Sequence, residues 1–345
     1  MIKTLTSWRG IMALVVVLFH YRVPVFNYFV PFAVCFFYVL SGFLLARRYE
    51  QQPVPRWRQF FTVRAVRLYV ASWITLLPLA AIMLIYHNWG GTPQFLTQLA
   101  LVHSYVPSKD YFFSFNTVSW FLCGLLLAYA CFPLLMRLMR RISLQVKLVA
   151  VAVWMVLLFI VMPHASEQVR VCLYVNPVMR LGDFVIGMVL AHLVQHVQER
   201  WRQPSFMQAT ILELLAIAVL AVAAWLVAVV PQIECYSDIV WCYLPVSLLI
   251  LVCALLNGNE GVPGRLLTCR PLLWLGGVSM EIYLLQMVAA RLYNYFVAPV
   301  LGHFGVETAY DLYPIFGLLL LLPLAWLMHR YLMQPLRHRA EALKK

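Results

Sequence analysis

Arg9 and His20 stand eleven residues apart in an opening segment that is otherwise largely apolar. Eleven helical steps of about 100° end roughly 20° past three full turns, so on a helix the two share one face, about 16 Å apart along the axis. Ionisable groups inside a membrane-spanning segment are expensive and are functional candidates by default. Imidazole is the side chain suited to moving protons near neutral pH. The structural alternative is a neutral His20 satisfied by a neighbouring helix, with Arg9 an interface arginine whose head reaches water. Arg64 and Arg67 occupy positions i and i+3 of one helical face. Paired guanidiniums fork onto phosphate oxygens, but a basic loop end also carries arginines for topology alone. Asp183 follows Arg180 by three residues, and the default for that pair is mutual neutralisation. His192 and His196 have the spacing of a helix-face metal pair, yet no third ligand accompanies them, and no metal is expected.

The elements that must hold these groups are membrane helices. Of 345 residues, 63% are hydrophobic and 11% charged, at a mean hydropathy of +0.83. Ordinary soluble domains carry about 45–50% apolar and about 25% charged residues. A water-soluble enzyme and a disordered chain are both excluded, and the short alternating segments of an outer-membrane barrel are absent. Apolar stretches of about 17–25 residues fall near 9–24, 28–46, 66–86, 117–137, 148–163, 177–196, 209–230, 239–256, 271–291 and 311–330. They predict an all-α polytopic membrane protein of about ten transmembrane helices. The piece from Phe95 to Tyr105 is too short to span and reads as interfacial or re-entrant. No repeat or second domain is visible, so residues 1–345 are expected to form a single integral membrane domain with no appended soluble domain.

With both termini in the cytoplasm, only Arg22, Lys109, Arg170, Arg180 and Arg291 of the 26 Lys and Arg residues fall outside or at outer span ends. That asymmetry satisfies the positive-inside rule. The net charge of +13 is therefore mostly topology, and nucleic acid is not an expected partner. Residues 20–31 offer no small-residue cleavage site, so the opening segment is expected to stay as the first span. The eight cysteines lack metal-type or CxxC spacing. Cys172, Cys235 and Cys242 face outward in this topology, where a disulfide is open to them.

Taken in order, these residues resemble the membrane acyltransferase-3 family. The stretch Ser7-Trp8-Arg9-Gly10 through Phe19-His20 resembles that family's opening, with its Arg-x10-His signature. Phe36-Phe37 to Ser41-Gly42-Phe43 is similar to the second block, whose Ser-Gly pair also has a packing reading, as small residues admit a close helix neighbour. Arg64 to Arg67 is similar to the Arg-x-x-Arg motif, and Ser119-Trp120-Phe121-Leu122 through Phe132-Pro133 to the fourth-span block. Arg180 to Phe184 with Gly187, then Leu275-Gly276, Tyr283-Leu284-Leu285 and Tyr331 to Pro335, complete the resemblance over nearly the whole chain. There are departures. Asp183 stands where Glu is more usual, Gln286 where His is common, Gln334 where Glu is common, and Glu281 where a small residue is usual. Neither Gln286 nor Gln334 is assigned a catalytic role. Leu125 and Leu126 replace acidic residues of one branch. Glu281 reads as an ion-pair partner or an acceptor contact.

The resemblance implies transfer of an acyl group, usually acetyl, from cytoplasmic acyl-CoA to a hydroxyl of an extracytoplasmic glycan or lipid-linked sugar, in a bacterial inner membrane. Under it Arg64 and Arg67, with Arg47, Arg48 and Ser41, would hold the CoA donor. The donor arm would run along the first span past Arg9 and present the thioester near His20. His20 would act as general base, and a route through an acyl-imidazole is also open. Asp183 is a candidate to orient His20, and Trp120, Tyr283 and Glu281 are candidates to line the acceptor site. The alternative class is a multi-span transporter or flippase with no covalent chemistry. Oligomeric state is not legible.

Overall fold

A computed structural model of the chain describes residues 2–237, 239–303 and 312–336. Arg337, Arg339, Lys344 and Lys345, counted among the expected inner cations, lie outside the described residues. Among those residues there are helices and no strand. The main ones are α1 (Lys3–His20), α2 (Val30–Tyr49), α3 (Trp57–Ile85), α4 (Trp120–Arg141), α5 (Leu144–Val161), α6 (Pro177–Gln198), α7 (Phe206–Val229), α8 (Tyr243–Leu255), α9 (Ser279–Leu292) and α10 (Tyr313–Met328).

The protein is an all-α polytopic membrane protein. Eight helices among the described residues are long and apolar enough to cross a membrane, or nine if the bent pair Pro231–Ser237 and Val240–Leu255 is one span. Ten were expected. Two of the expected spans account for the difference: 239–256, which counts only as part of that bent pair, and α1, whose 18 residues include Lys3, Arg9 and His20 and fall short on apolarity. The expected span 271–291 is also divided, into a short helix Arg270–Gly277 and α9, which continues through a π-helical turn at Tyr293–Val297. The stretch 95–105 does not span. It folds as a short helix Thr92–Leu99 and a single turn His103–Tyr105.

The chain divides into two compact units. The first comprises residues 1–12, 28–56 and 130–277. Its centre is α2, apolar on every face, as a helix enclosed by others must be. Two glycines set how closely it meets α6. A Cβ on Gly42 would strike the Phe184 carbonyl, and one on Gly187 would strike the Val39 carbonyl. Small residues at such crossings replace side-chain bulk with backbone contact, the usual means of helix association in lipid. Nearby, Arg180 and Asp183 form a fully buried ion pair of 2.8 Å, and the Tyr243 hydroxyl donates to the other carboxylate oxygen at 2.8 Å. Arg180 Nε also donates to the Tyr174 carbonyl at 2.6 Å, so the charges are paired and hydrogen-bonded, as burial requires.

The second unit comprises residues 13–27, 57–129 and 278–345. A buried polar network ties its connecting segment down. Gln98 Nε2 donates to the Asn116 carbonyl (2.8 Å) and Ser119 Oγ (2.5 Å), while Asn116 Nδ2 donates to Thr75 Oγ1 (3.0 Å) and the Leu284 carbonyl (3.2 Å). His103 joins it with Ser119 Oγ 3.2 Å from its Nε2. Tyr283 donates to the Val118 carbonyl at 3.1 Å. These bonds reach α9 at two successive residues and hold it against the segment that precedes α4.

Candidate active site

His20 is the last residue of α1, which ends four residues before the end of the span expected over 9–24. The helix stops through a Schellman arrangement: the Val23 amide donates to the Leu18 carbonyl and the Arg22 amide to the Phe19 carbonyl, both at 2.9 Å. That motif needs a left-handed residue, usually glycine. Here it is Arg22, at φ 63°. A non-glycine residue gives up about 1–2 kcal/mol for that conformation, and such outliers gather at functional sites.

The His20 ring is fixed from two directions. Nδ1 lies 2.8 Å from the Val16 carbonyl oxygen. A carbonyl only accepts, so Nδ1 carries the hydrogen of the neutral ring and Nε2 keeps the lone pair. The Gln286 side chain adjoins the ring. Gln286 Nε2 donates to the Tyr283 carbonyl at 2.7 Å, which turns Oε1 the other way, and that oxygen is buried with no hydrogen bond. Tyr21, the next residue after His20, donates its hydroxyl to the Gln286 backbone carbonyl at 3.2 Å, and its ring packs against that of Tyr313 at 4.7 Å between centroids, tilted by 44°. The end of α1 is thus bound to α9 and α10.

His20 opens onto a cavity of about 440 Å³ lined also by Arg22, Met287, Ala290, Arg291, Asn294, Tyr295 and Tyr313. The π-helical turn after α9 supplies Asn294 and Tyr295, and such turns are frequent at functional sites. An imidazole, two guanidiniums, a carboxamide and two phenols give this cavity proton-transfer and hydrogen-bonding chemistry. Two further cavities, of about 450 Å³ each, are almost wholly apolar and lie in the first unit.

This geometry meets what comparison of the sequence finds. The chain belongs to the acyltransferase-3 family. The family's sequence model, described as an acyltransferase domain, matches residues 2–330. The chain is also similar to "Acyltransferase MdmB" of Streptomyces mycarofaciens, at 27% identity over 297 residues, covering 79% of this chain and 71% of that protein. No solved structure matches. The protein is an acyltransferase enzyme.

Within this acyltransferase the remaining candidate residues are distributed as follows. Arg9 is half-buried on α1, in the first unit. Arg47 and Arg48 close α2 in the same unit; Arg47 Nη1 is buried without a hydrogen bond, and Glu50 supplies an opposing charge. Arg64 and Arg67 lie on α3 in the second unit. The Arg64 guanidinium sits 3.7 Å from the centroid of the Phe60 ring and 5.7 Å from that of Tyr129, while Arg67 Nε is buried with no hydrogen bond. Orphaned guanidinium nitrogens of this kind fit an anionic ligand. Ser41 Oγ donates back to the Phe37 carbonyl of its own helix at 2.6 Å.

Asp183 has both carboxylate oxygens engaged, by Arg180 and Tyr243. Trp120 and Tyr283 are buried, and neither lines the His20 cavity. Glu281 is buried and pairs with His329 Nδ1 at 2.7 Å. No group able to hold a metal occurs among the described residues. The cavity residues Arg22, Arg291, Asn294, Tyr295 and Tyr313, and Gln286 behind His20, were not among the sequence candidates. One signal pointed to two of them: Arg22 and Arg291 belong to the few cations placed on the minority side of the charge asymmetry.

Proposed function

We propose that this acyltransferase moves an acyl group, acetyl in the first instance, from cytoplasmic acyl-CoA to a hydroxyl of an extracytoplasmic glycan or lipid-linked sugar, across a bacterial inner membrane. The observation that carries the reading is His20, tautomerically fixed by Val16 and lining a polar cavity at the end of a helix that bears Arg9 about 16 Å earlier. Nε2 takes the proton from the acceptor hydroxyl as its oxygen attacks the thioester carbonyl. The carbon–sulfur bond breaks, and the CoA thiolate leaves and recovers the proton. A positioned base of this kind contributes about 10²–10⁴-fold. The imidazolium formed midway gains a hydrogen, and the adjoining Gln286 side chain, whose Oε1 is buried and otherwise unused, would stabilise it.

Arg64 and Arg67 on α3 would bind donor phosphate; Arg47 and Arg48, at the end of α2, carry the same proposed role, and Ser41 would keep the α2 crossing narrow. Asp183, committed to Arg180 and Tyr243, would act by fixing α6. Trp120, Tyr283 and Glu281 would support the acceptor wall from behind. The test is acetyl transfer by purified protein from acetyl-CoA to cell-surface glycan, read by mass spectrometry. His20→Ala should abolish transfer in a protein that still folds, and Arg64→Ala and Arg67→Ala should raise KM for acetyl-CoA. Wild-type transfer by His20→Ala would overturn the mechanism.

A further inference from the structure

The His20 cavity carries more positive charge than proton transfer requires. Arg22 and Arg291 approach it from different elements, the end of α1 and the end of α9. Both line it together with Tyr313, so the three side chains share one cavity. Among the described residues lining the cavity none is acidic. Arg22 keeps its side chain there despite a backbone conformation that glycine would adopt without strain. Two guanidiniums in one pocket are matched to a carboxylate or a phosphate.

We propose that this cavity selects an acceptor carrying an oxyanion, a carboxylate or a phosphate, beside the hydroxyl to be acylated, with Arg22 and Arg291 holding it. The inference rests on the acyl-transfer reading and adds the chemical class of the acceptor. Asn294, Tyr295 and Tyr313 then meet the neutral hydroxyls of the same ring. Anchoring the anion orients the neighbouring hydroxyl toward His20, which is where the entropic advantage of a two-point grip would be spent.

The test uses the full chain in phosphatidylcholine nanodiscs and measures binding of methyl glucuronide against methyl glucoside by calorimetry. The wild type should bind the glucuronide about tenfold more tightly, the equivalent of one charge-assisted hydrogen-bonded pair. Arg22→Gly, which suits the backbone, and Arg291→Gln should each bring that ratio close to one. Equal binding of the two sugars by the wild type, or a preference that survives both substitutions, overturns the proposal. So does the finding that phosphatidylglycerol, added to the nanodiscs, is what the wild type retains and the variants lose, because the anion is then a lipid headgroup. Acetyl transfer without the glucuronide preference sinks the anion site alone. The preference without any acetyl transfer sinks the transfer reading alone.

Discussion

Nδ1 of His20 lies 2.8 Å from the carbonyl oxygen of Val16, one turn earlier in the same helix. That single bond assigns the tautomer, because an unprotonated Nδ1 would face another acceptor. It leaves Nε2 as the basic nitrogen at the point where α1 ends and the cavity begins. His20→Ala removes the base and should lower transfer by about 10²–10⁴-fold. His20→Gln should be equally inactive, since a carboxamide cannot take up the proton. Single-turnover acetyl transfer, with size-exclusion profiles to confirm folding, measures both.

Gln286 tests the fate of that proton. Gln286→Leu deprives the imidazolium of the adjoining carboxamide, and a lost hydrogen bond to a charged group costs about 1.5–3 kcal/mol. The expected result is a fall of roughly 10–150-fold in kcat with KM for acetyl-CoA little changed. Gln286→Glu restores an acceptor and should recover part of kcat while shifting the pH profile. A purely packing role predicts a loss of stability and no altered pH profile.

The crossing of α2 and α6 leaves no room for a methyl group. Gly42→Ala and Gly187→Ala each press a Cβ onto a backbone carbonyl of the opposing helix, so each should cost at least about 1–3 kcal/mol through forced separation. Gly277→Ala is the control, because a Cβ there meets nothing within 4 Å. Thermal unfolding in detergent should show a clear drop in Tm for the first two and none for the third.

The Arg180–Asp183 pair predicts non-additivity. Removing one partner strands a buried charge, at about 3–5 kcal/mol, so Asp183→Leu and Arg180→Met should each be strongly destabilising. The double variant leaves no stranded charge and should be more stable than either single. A double-mutant cycle on Tm reads the coupling. Additive losses would mean the two residues act separately.

His103 predicts how stability depends on pH. Burial pushes its imidazole down to about 4, and the ring sits in the Ser119 and Cys123 pocket. In the unfolded chain histidine titrates near about 6.5. The unfolded state therefore takes up the proton first. The stability of the neutral buried ring is complete above about pH 6.5 and is lost as pH falls toward about 4, by on the order of 3 kcal/mol. Unfolding of the wild type and of His103→Asn should differ most at pH 7.5 and converge near pH 4.

Some of this was readable in one dimension. Composition and apolar runs dictated a helical membrane protein, because lipid offers no partner for an unpaired backbone. The shared face of Arg9 and His20 followed from helical periodicity alone, which is a local property. The block order from Ser7 to Pro335 identified the family. What lay beyond reach were contacts between residues far apart in the chain, such as Tyr21 with Gln286, or Glu281 with His329. Those depend on how α9 and α10 pack, and no local preference encodes packing. The same reason explains why Trp120 and Tyr283 turned inward and why Gln286 was passed over. Most of all, tertiary structure decided that Arg22 and Arg291 meet at His20: each alone is an ordinary span-end arginine, and only the folded chain makes them one pocket.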